Sequence, residues 1–158
     1  MPDGGPPVAA PHAVLIGVGN PLRGDDGAGP AVARLARQSA PAGVEVLEHD
    51  GEPASLLEAW SAASVAVVVD AVRSGAPPGT IRRVDATAHP LPARGGASTH
   101  GIGVAEAVEL ARALGRLPQR LVVLCVEGED FATGEALTPA VRRALAPAAE
   151  AALAELRR

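Results

Sequence analysis

Residues 13–18, Ala13-Val14-Leu15-Ile16-Gly17-Val18, form an unbroken apolar run that opens into Gly19-Asn20-Pro21-Leu22-Arg23-Gly24-Asp25-Asp26-Gly27. A short continuous apolar run belongs to a strand buried on both faces of a parallel sheet, because a strand with one wet face alternates instead. Two further runs have the same character, Ser64 to Val69, ending at Asp70, and Leu121 to Val126. Helical spacing lies between them. From Ala28 to Ser39, Val32, Leu35 and Ala36 share a face that Arg34 and Arg37 avoid, and Pro53 opens a second helix carrying Leu56, Leu57 and Trp60. Val44 to Glu48 alternates like a strand near the sheet edge, Thr80 to Val84 reads as another strand, and residues 101–114 read as a helix. Thr138-Pro139 supplies a cap and a first turn for a closing helix through Leu156. Strands alternating with helices imply right-handed βαβ units. The expected fold is a single-domain three-layer α/β/α architecture with a mainly parallel twisted sheet of about five strands.

At 158 residues the chain suits one domain. Residues 1–12, rich in Pro, Gly and Ala, read as a flexible leader before a domain spanning 13–158. The Pro-, Gly- and Ala-rich loop from about 86 to 99 is long for a compact domain, which marks it as functional or mobile. Apolar residues at 47% and charged residues at 20% support a real core. The net charge is −4 and the arginines are scattered, so no phosphate-binding stripe exists, and Trp60 and Phe131 are the only aromatics on which bases could stack. Nucleic acid is therefore not an expected partner. The chain has no lysine, which excludes a P-loop and Schiff-base chemistry. The N-terminus lacks the basic and apolar regions of a signal peptide, and no segment reaches the roughly 20 apolar residues that span a bilayer. No membrane partner is expected, and the cytoplasm is the expected location.

Ligands of such sheets bind outside the carboxyl ends of the strands, so the residues there carry the chemistry. The first turn fails as a dinucleotide fingerprint, since the third glycine of G-x-G-x-x-G would fall on Leu22. Adjacent Asp25 and Asp26 would repel a pyrophosphate but welcome a cation. One aspartate suffices to cap a helix, which leaves the other as a surplus. Asp70 ends a central strand, where its ordinary roles are a cap or a partner for Arg73. His100, in Ser98-Thr99-His100-Gly101, precedes a helix. His12, His49 and His89 have weaker contexts. Asp26, Asp70 and His100 together form an oxygen and nitrogen donor set suited to zinc, nickel or manganese, with positions left open for water or substrate. Cys125 sits within an apolar strand and reads as core, while Glu127 and Glu129 follow that strand at the same sheet edge, as a solvated loop or, alternatively, as part of the cleft wall.

The motif Gly17-x-Gly19-Asn20-Pro21-Leu22-x-Gly24-Asp25-Asp26-Gly27-x-Gly29, with Asp70-Ala71 and His100-Gly101, resembles the nickel-iron hydrogenase maturation proteases. The segment Glu127-Gly128 through Gly134-x-x-Leu137-Thr138-Pro139-x-Val141 resembles that family's closing loop and helix. The resemblance implies an endopeptidase that removes the C-terminal extension of a nickel-loaded hydrogenase large-subunit precursor. It makes Asp26, Asp70 and His100 both the metal-binding and the catalytic residues, with Asp25 orienting rather than ligating. The nickel would be carried by the substrate, and the chain needs no permanently bound metal of its own. One departure concerns the loop after the second strand, where Asp50-Gly51 leads to Glu52-Pro53 rather than Gly-Thr. That difference bears on which precursor is recognised and leaves Asp50 as a candidate contributor to the cleft. The alternatives are a non-cleaving nickel-dependent checkpoint or metal-binding protein, and a peptidyl-tRNA hydrolase-like esterase, which shares the Gly-x-Gly-Asn-Pro start but has a basic cleft.

Overall fold

The computed structural model describes residues 12–91 and 102–158. In chain order the elements are β1 (Ala13–Val18), a 3-10 turn (Gly24–Gly27), α1 (Ala28–Arg37), β2 (Val44–His49), α2 (Pro53–Trp60), β3 (Val65–Val72), β4 (Ile81–Asp85), α3 (Ile102–Leu114), β5 (Arg120–Glu127) and α4 (Pro139–Leu156). The sheet order is β2-β1-β3-β5-β4. All pairings are parallel except that of β4 with β5. The chain is thus a single α/β domain with a five-stranded, mainly parallel sheet.

Period-two alternation in the central strands sorts their side chains onto two buried faces. Val14, Ile16 and Val18 of β1, Ala66, Val68 and Val72 of β3, and Leu121, Val123 and Cys125 of β5 pack with Trp60 of α2 and Val104 and Val108 of α3. Leu15, Val67, Val69, Ala71, Val122, Leu124 and Val126 pack on the other face with Val32 of α1 and Val141 of α4. Both faces being covered explains why these strands read as continuous apolar runs. β2 lies at the sheet edge and is only partly buried, as its alternation implied.

β3 does not stop before Asp70. Ala71 and Val72 prolong its apolar pattern and pair with Val126 and Glu127, so Asp70 lies inside the strand. Of the long loop expected over 86–99, residues 92–99 lie outside the described residues, as does the leader up to residue 11. Its first part is tied to α3, with Arg112 donating to the carbonyls of Ala86, Thr87 and His89. The last residue of the expected leader, His12, is tied to the fold, its carbonyl accepting from the Ser64 amide at 2.8 Å. Among the described residues no helix is long and apolar enough to cross a membrane.

From β1 the chain crosses to β2 on one side, then returns past β1 to β3 on the other. This reversal opens a crevice between the carboxyl ends of β1 and β3, the switch point where α/β sheets bind ligands. Gly29 lets α1 lie down beside that crevice. A Cβ at position 29 would sit 2.2 Å from the carbonyl oxygen of Val18 and 2.6 Å from that of Val69. Because both obstacles are backbone, Gly29→Ala is expected to cost about 2 kcal/mol, the usual scale of overpacking. Urea unfolding checks this, and an unchanged midpoint would contradict so close a seat for α1.

Candidate active site

Each residue of the switch point is placed by main-chain geometry. Val18 pairs in register with Asp70, and Asp70 with Cys125. Since Val69 and Ala71 face α1 and α4, alternation turns Asp70 toward α2 and α3, on the same face as Val18 and Cys125. Asp70 is only 1% exposed. Cys125 is buried, as its apolar strand implied, but it is also the direct cross-strand neighbour of Asp70.

Asp26 reaches the same end from the 3-10 turn. Its Oδ2 accepts the amide of Asn20 at 2.8 Å, and the residue is 6% exposed. The turn back from β1 needs glycine at position 19, where φ is +147° and a Cβ would lie 1.9 Å from the carbonyl oxygen of Asp26. Gly19 also donates its amide to the carbonyl of His49 at 3.0 Å, which ties the loop to the end of β2. Neither aspartate caps α1, whose N-cap is Gly27 without a side-chain bond. Capping was the ordinary reading of the pair, and the structure gives both carboxylates other work.

Asp25 is completely buried and accepts four hydrogen bonds. The amides of Glu129 and Asp130 donate to Oδ2 at 2.8 and 3.1 Å, and the amide of Thr138 donates to Oδ1 at 2.8 Å. The Thr138 hydroxyl completes the set at 2.8 Å from Oδ2. That hydroxyl makes no capping bond to α4, contrary to the role expected of Thr138, because Asp25 occupies it. Burial pushes the Asp25 carboxyl up, but the amides of Glu129, Thr138 and Asp130 and the Thr138 hydroxyl outweigh that effect and hold it below its ordinary value. Asp25 therefore fastens the turn carrying Asp26 to the segment between β5 and α4. This agrees with an orienting role.

Glu127 is not solvated. It is 3% exposed and accepts from the Ser74 amide at 2.8 Å, the Ser74 hydroxyl at 2.7 Å and the Gly75 amide at 3.1 Å, which anchors the turn after β3. Glu129 does lie in an exposed loop. Arg73, a candidate partner for Asp70, instead stacks its guanidinium 4.8 Å from the centre of the Phe131 ring. These long-range partners leave no local sequence signal.

His100 lies outside the described residues. The helix it precedes begins at Ile102, and a Cβ on Gly103 would lie 1.9 Å from the carbonyl oxygen of Gly51, so α3 starts against the turn that follows β2. Among the described residues no group of three or more His, Cys, Asp and Glu side chains could hold a metal ion. The structure brings Asp26 and Asp70 to one end of the sheet, as two members of the expected three. An open groove of about 500 Å³ lies on the β2 side of the first loop, lined by Gly19, Asn20, Pro21, Pro30, Glu48, His49 and Asp50, with neither Asp26 nor Asp70 in its lining. Asp50 is exposed there and accepts the Glu52 amide at 3.0 Å, while Glu52 caps α2 through Ala54 and Ser55.

Fold and edge together define a small three-layer α/β protein with a buried acidic pair at its switch point. The family model for hydrogenase maturation proteases matches residues 30–155. The hydrogenase expression/formation protein HupD of Thiocapsa roseopersicina is 36% identical over 150 residues, covering 90% of this chain and 66% of that protein. HupD of Rhodobacter capsulatus is 36% identical over 160 residues, covering 96% and 74%. The chain thus spans 66% and 74% of the length of these two relatives. The hydrogenase maturating endopeptidase HybD from E. coli superposes with a TM-score of 0.82 at 28% identity, covering 92% of each chain. The chain belongs to the hydrogenase maturation protease family, a family of endopeptidases.

The Asp25 bonds give a stability prediction with a defined pH dependence. Because its folded pKa lies below the ordinary 3.8, its contribution is present above that value and is lost as pH falls through the folded value. At neutral pH, Asp25→Asn replaces an acceptor with a donor facing amides and is expected to cost about 3 kcal/mol. Chemical denaturation from pH 7 to 2 should show the gap between wild type and variant closing below pH 3.8. A gap independent of pH would contradict an ionised Asp25.

Proposed function

We propose that this chain removes the C-terminal extension of a nickel-iron hydrogenase large-subunit precursor after nickel insertion, using the precursor's own nickel as the recognition element. Asp26, Asp70 and His100 would grip that nickel, which arrives as part of the substrate. The observation that carries the proposal is the convergence of Asp26 and Asp70, both buried and from separate elements, at the β1/β3 switch point. A low-dielectric edge strengthens the attraction between carboxylate and cation, and two acids with an imidazole form a mixed donor set that accommodates nickel as it does zinc or manganese. HybD, a maturating endopeptidase, shares this fold along nearly the whole chain.

Gripping a metal already seated near the precursor's tail converts cleavage into a reaction between neighbours. Proximity of this kind contributes several kcal/mol without a strong nucleophile. Among the described residues none is evident. Cys125 is buried in the sheet, and the carboxylates at the edge are suited to hold and orient an attacking water. Hydrolysis adds that water across the peptide bond, its hydroxyl to the carbonyl carbon and its proton to the departing amine.

The test incubates the purified chain with nickel-loaded and nickel-free precursor and weighs the large subunit by mass spectrometry. Loss of the tail from the loaded form alone is expected. A loaded precursor that binds but keeps its tail would replace the protease with a checkpoint protein. Asp70→Asn preserves size and is expected to leave the fold intact while lowering processing at least a hundredfold, and Asp26→Asn should do the same. Normal processing by both variants would contradict the site.

A further inference from the structure

Leu22 is one of three large apolar residues exposed among the described residues, at 57%, and the other two, Leu110 and Leu114, lie on α3. Its main chain is fixed. The Leu22 amide donates to Oδ1 of Asn20 at 2.9 Å, and its carbonyl accepts the Gly134 amide at 2.7 Å. On either side, Arg23 donates to the Asn20 carbonyl at 3.1 Å and Gly24 to the Gly134 carbonyl at 2.7 Å. Asn20, which holds Leu22, is itself held by the carboxylate of Asp26. Pro21, adjacent in the chain, lines the groove between this loop and the end of β2. With more than half of its surface in water, Leu22 contributes less burial to the fold than a core leucine does. It does have the property that lowers the entropic cost of an interface, since little of its frame remains to be ordered on binding.

We infer that Leu22 is a preorganised apolar anchor for the hydrogenase precursor, receiving an apolar side chain of that polypeptide next to Asp26. The inference rests on the proposed function for the identity of the partner. The hydrogen-bonded path Leu22–Asn20–Asp26 gives the anchor a fixed position relative to the carboxylate, so docking at Leu22 would also place the cleavage region.

The experiment compares the wild-type chain with Leu22→Ala and Leu22→Asp, and with Leu114→Asp, which alters an equally exposed leucine on α3 at 56% exposure. Dissociation constants for the purified large-subunit precursor are measured by calorimetry, KM and kcat by processing, and folding by thermal melts. Leu22→Ala is expected to raise Kd and KM about tenfold, the loss of one buried leucine contact, with kcat and Tm unchanged. Leu22→Asp should raise them further, and Leu114→Asp should leave them at wild-type values. Unchanged binding by Leu22→Asp, equal weakening by Leu114→Asp, or a fall in kcat alone would overturn the anchor. If the wild type binds precursor without cutting it and the Leu22 variants still lose affinity, the anchor stands while the protease reading falls. A wild type that binds no precursor overturns both.

Discussion

A single buried carboxylate organises the working edge of this molecule. Asp25 has lost all contact with water, and such a loss is tolerated only when hydrogen bonds replace the hydration shell. Three amides and a hydroxyl do so, from residues more than 100 positions away in sequence. The result is a bond between the first loop of the fold and the last. Gly24 and Gly128 lie on either side of it, where a Cβ would strike the Asp130 carbonyl oxygen at 2.4 Å or approach the Asp25 Cβ at 3.1 Å. With that junction closed, the 3-10 turn has one position, and Asp26 takes its own from the turn.

The sheet supplies the other half of the geometry. Strand order reverses between β1 and β3, so the loops leaving their carboxyl ends diverge and leave a crevice. Asp70 enters it from within β3, and its position is set by ladder register rather than by a loop. A site with one carboxylate on a strand and the other on a loop fastened by a buried charge needs little rearrangement to bind a cation. This suits a member of the hydrogenase maturation protease family whose proposed ligand is already attached to its substrate.

The central strands and their intervening helices were legible because double burial leaves apolar runs and amphipathic helices leave a 3.6-residue stripe. Asp70 is legible as a charge at the end of an apolar run, and Asp26 as the second of two adjacent carboxylates where one suffices to cap a helix. What sequence spacing missed depends on contacts between distant segments. Thr138 looks like a helix cap and Glu127 like a loop residue, yet Thr138 serves Asp25 and Glu127 holds Ser74 and Gly75. Asp70 seemed to end its strand because a charge usually does. Pairing of Ala71 and Val72 with β5 carries the strand past it. For Leu22 the signal was its place in the motif, whereas its exposure and its fixed main chain are properties of the folded loop alone.

Nickel K-edge X-ray absorption on a loaded precursor whose scissile residue is substituted, recorded alone and bound to this chain, examines the metal grip without requiring turnover. If Asp26, Asp70 and His100 hold the substrate's nickel, binding adds oxygen and nitrogen scatterers at about 2.1 Å, a distance typical of such ligands on a divalent metal, and Asp70→Asn removes part of the gain. A nickel spectrum that does not change when the wild-type chain binds would contradict the metal grip outright.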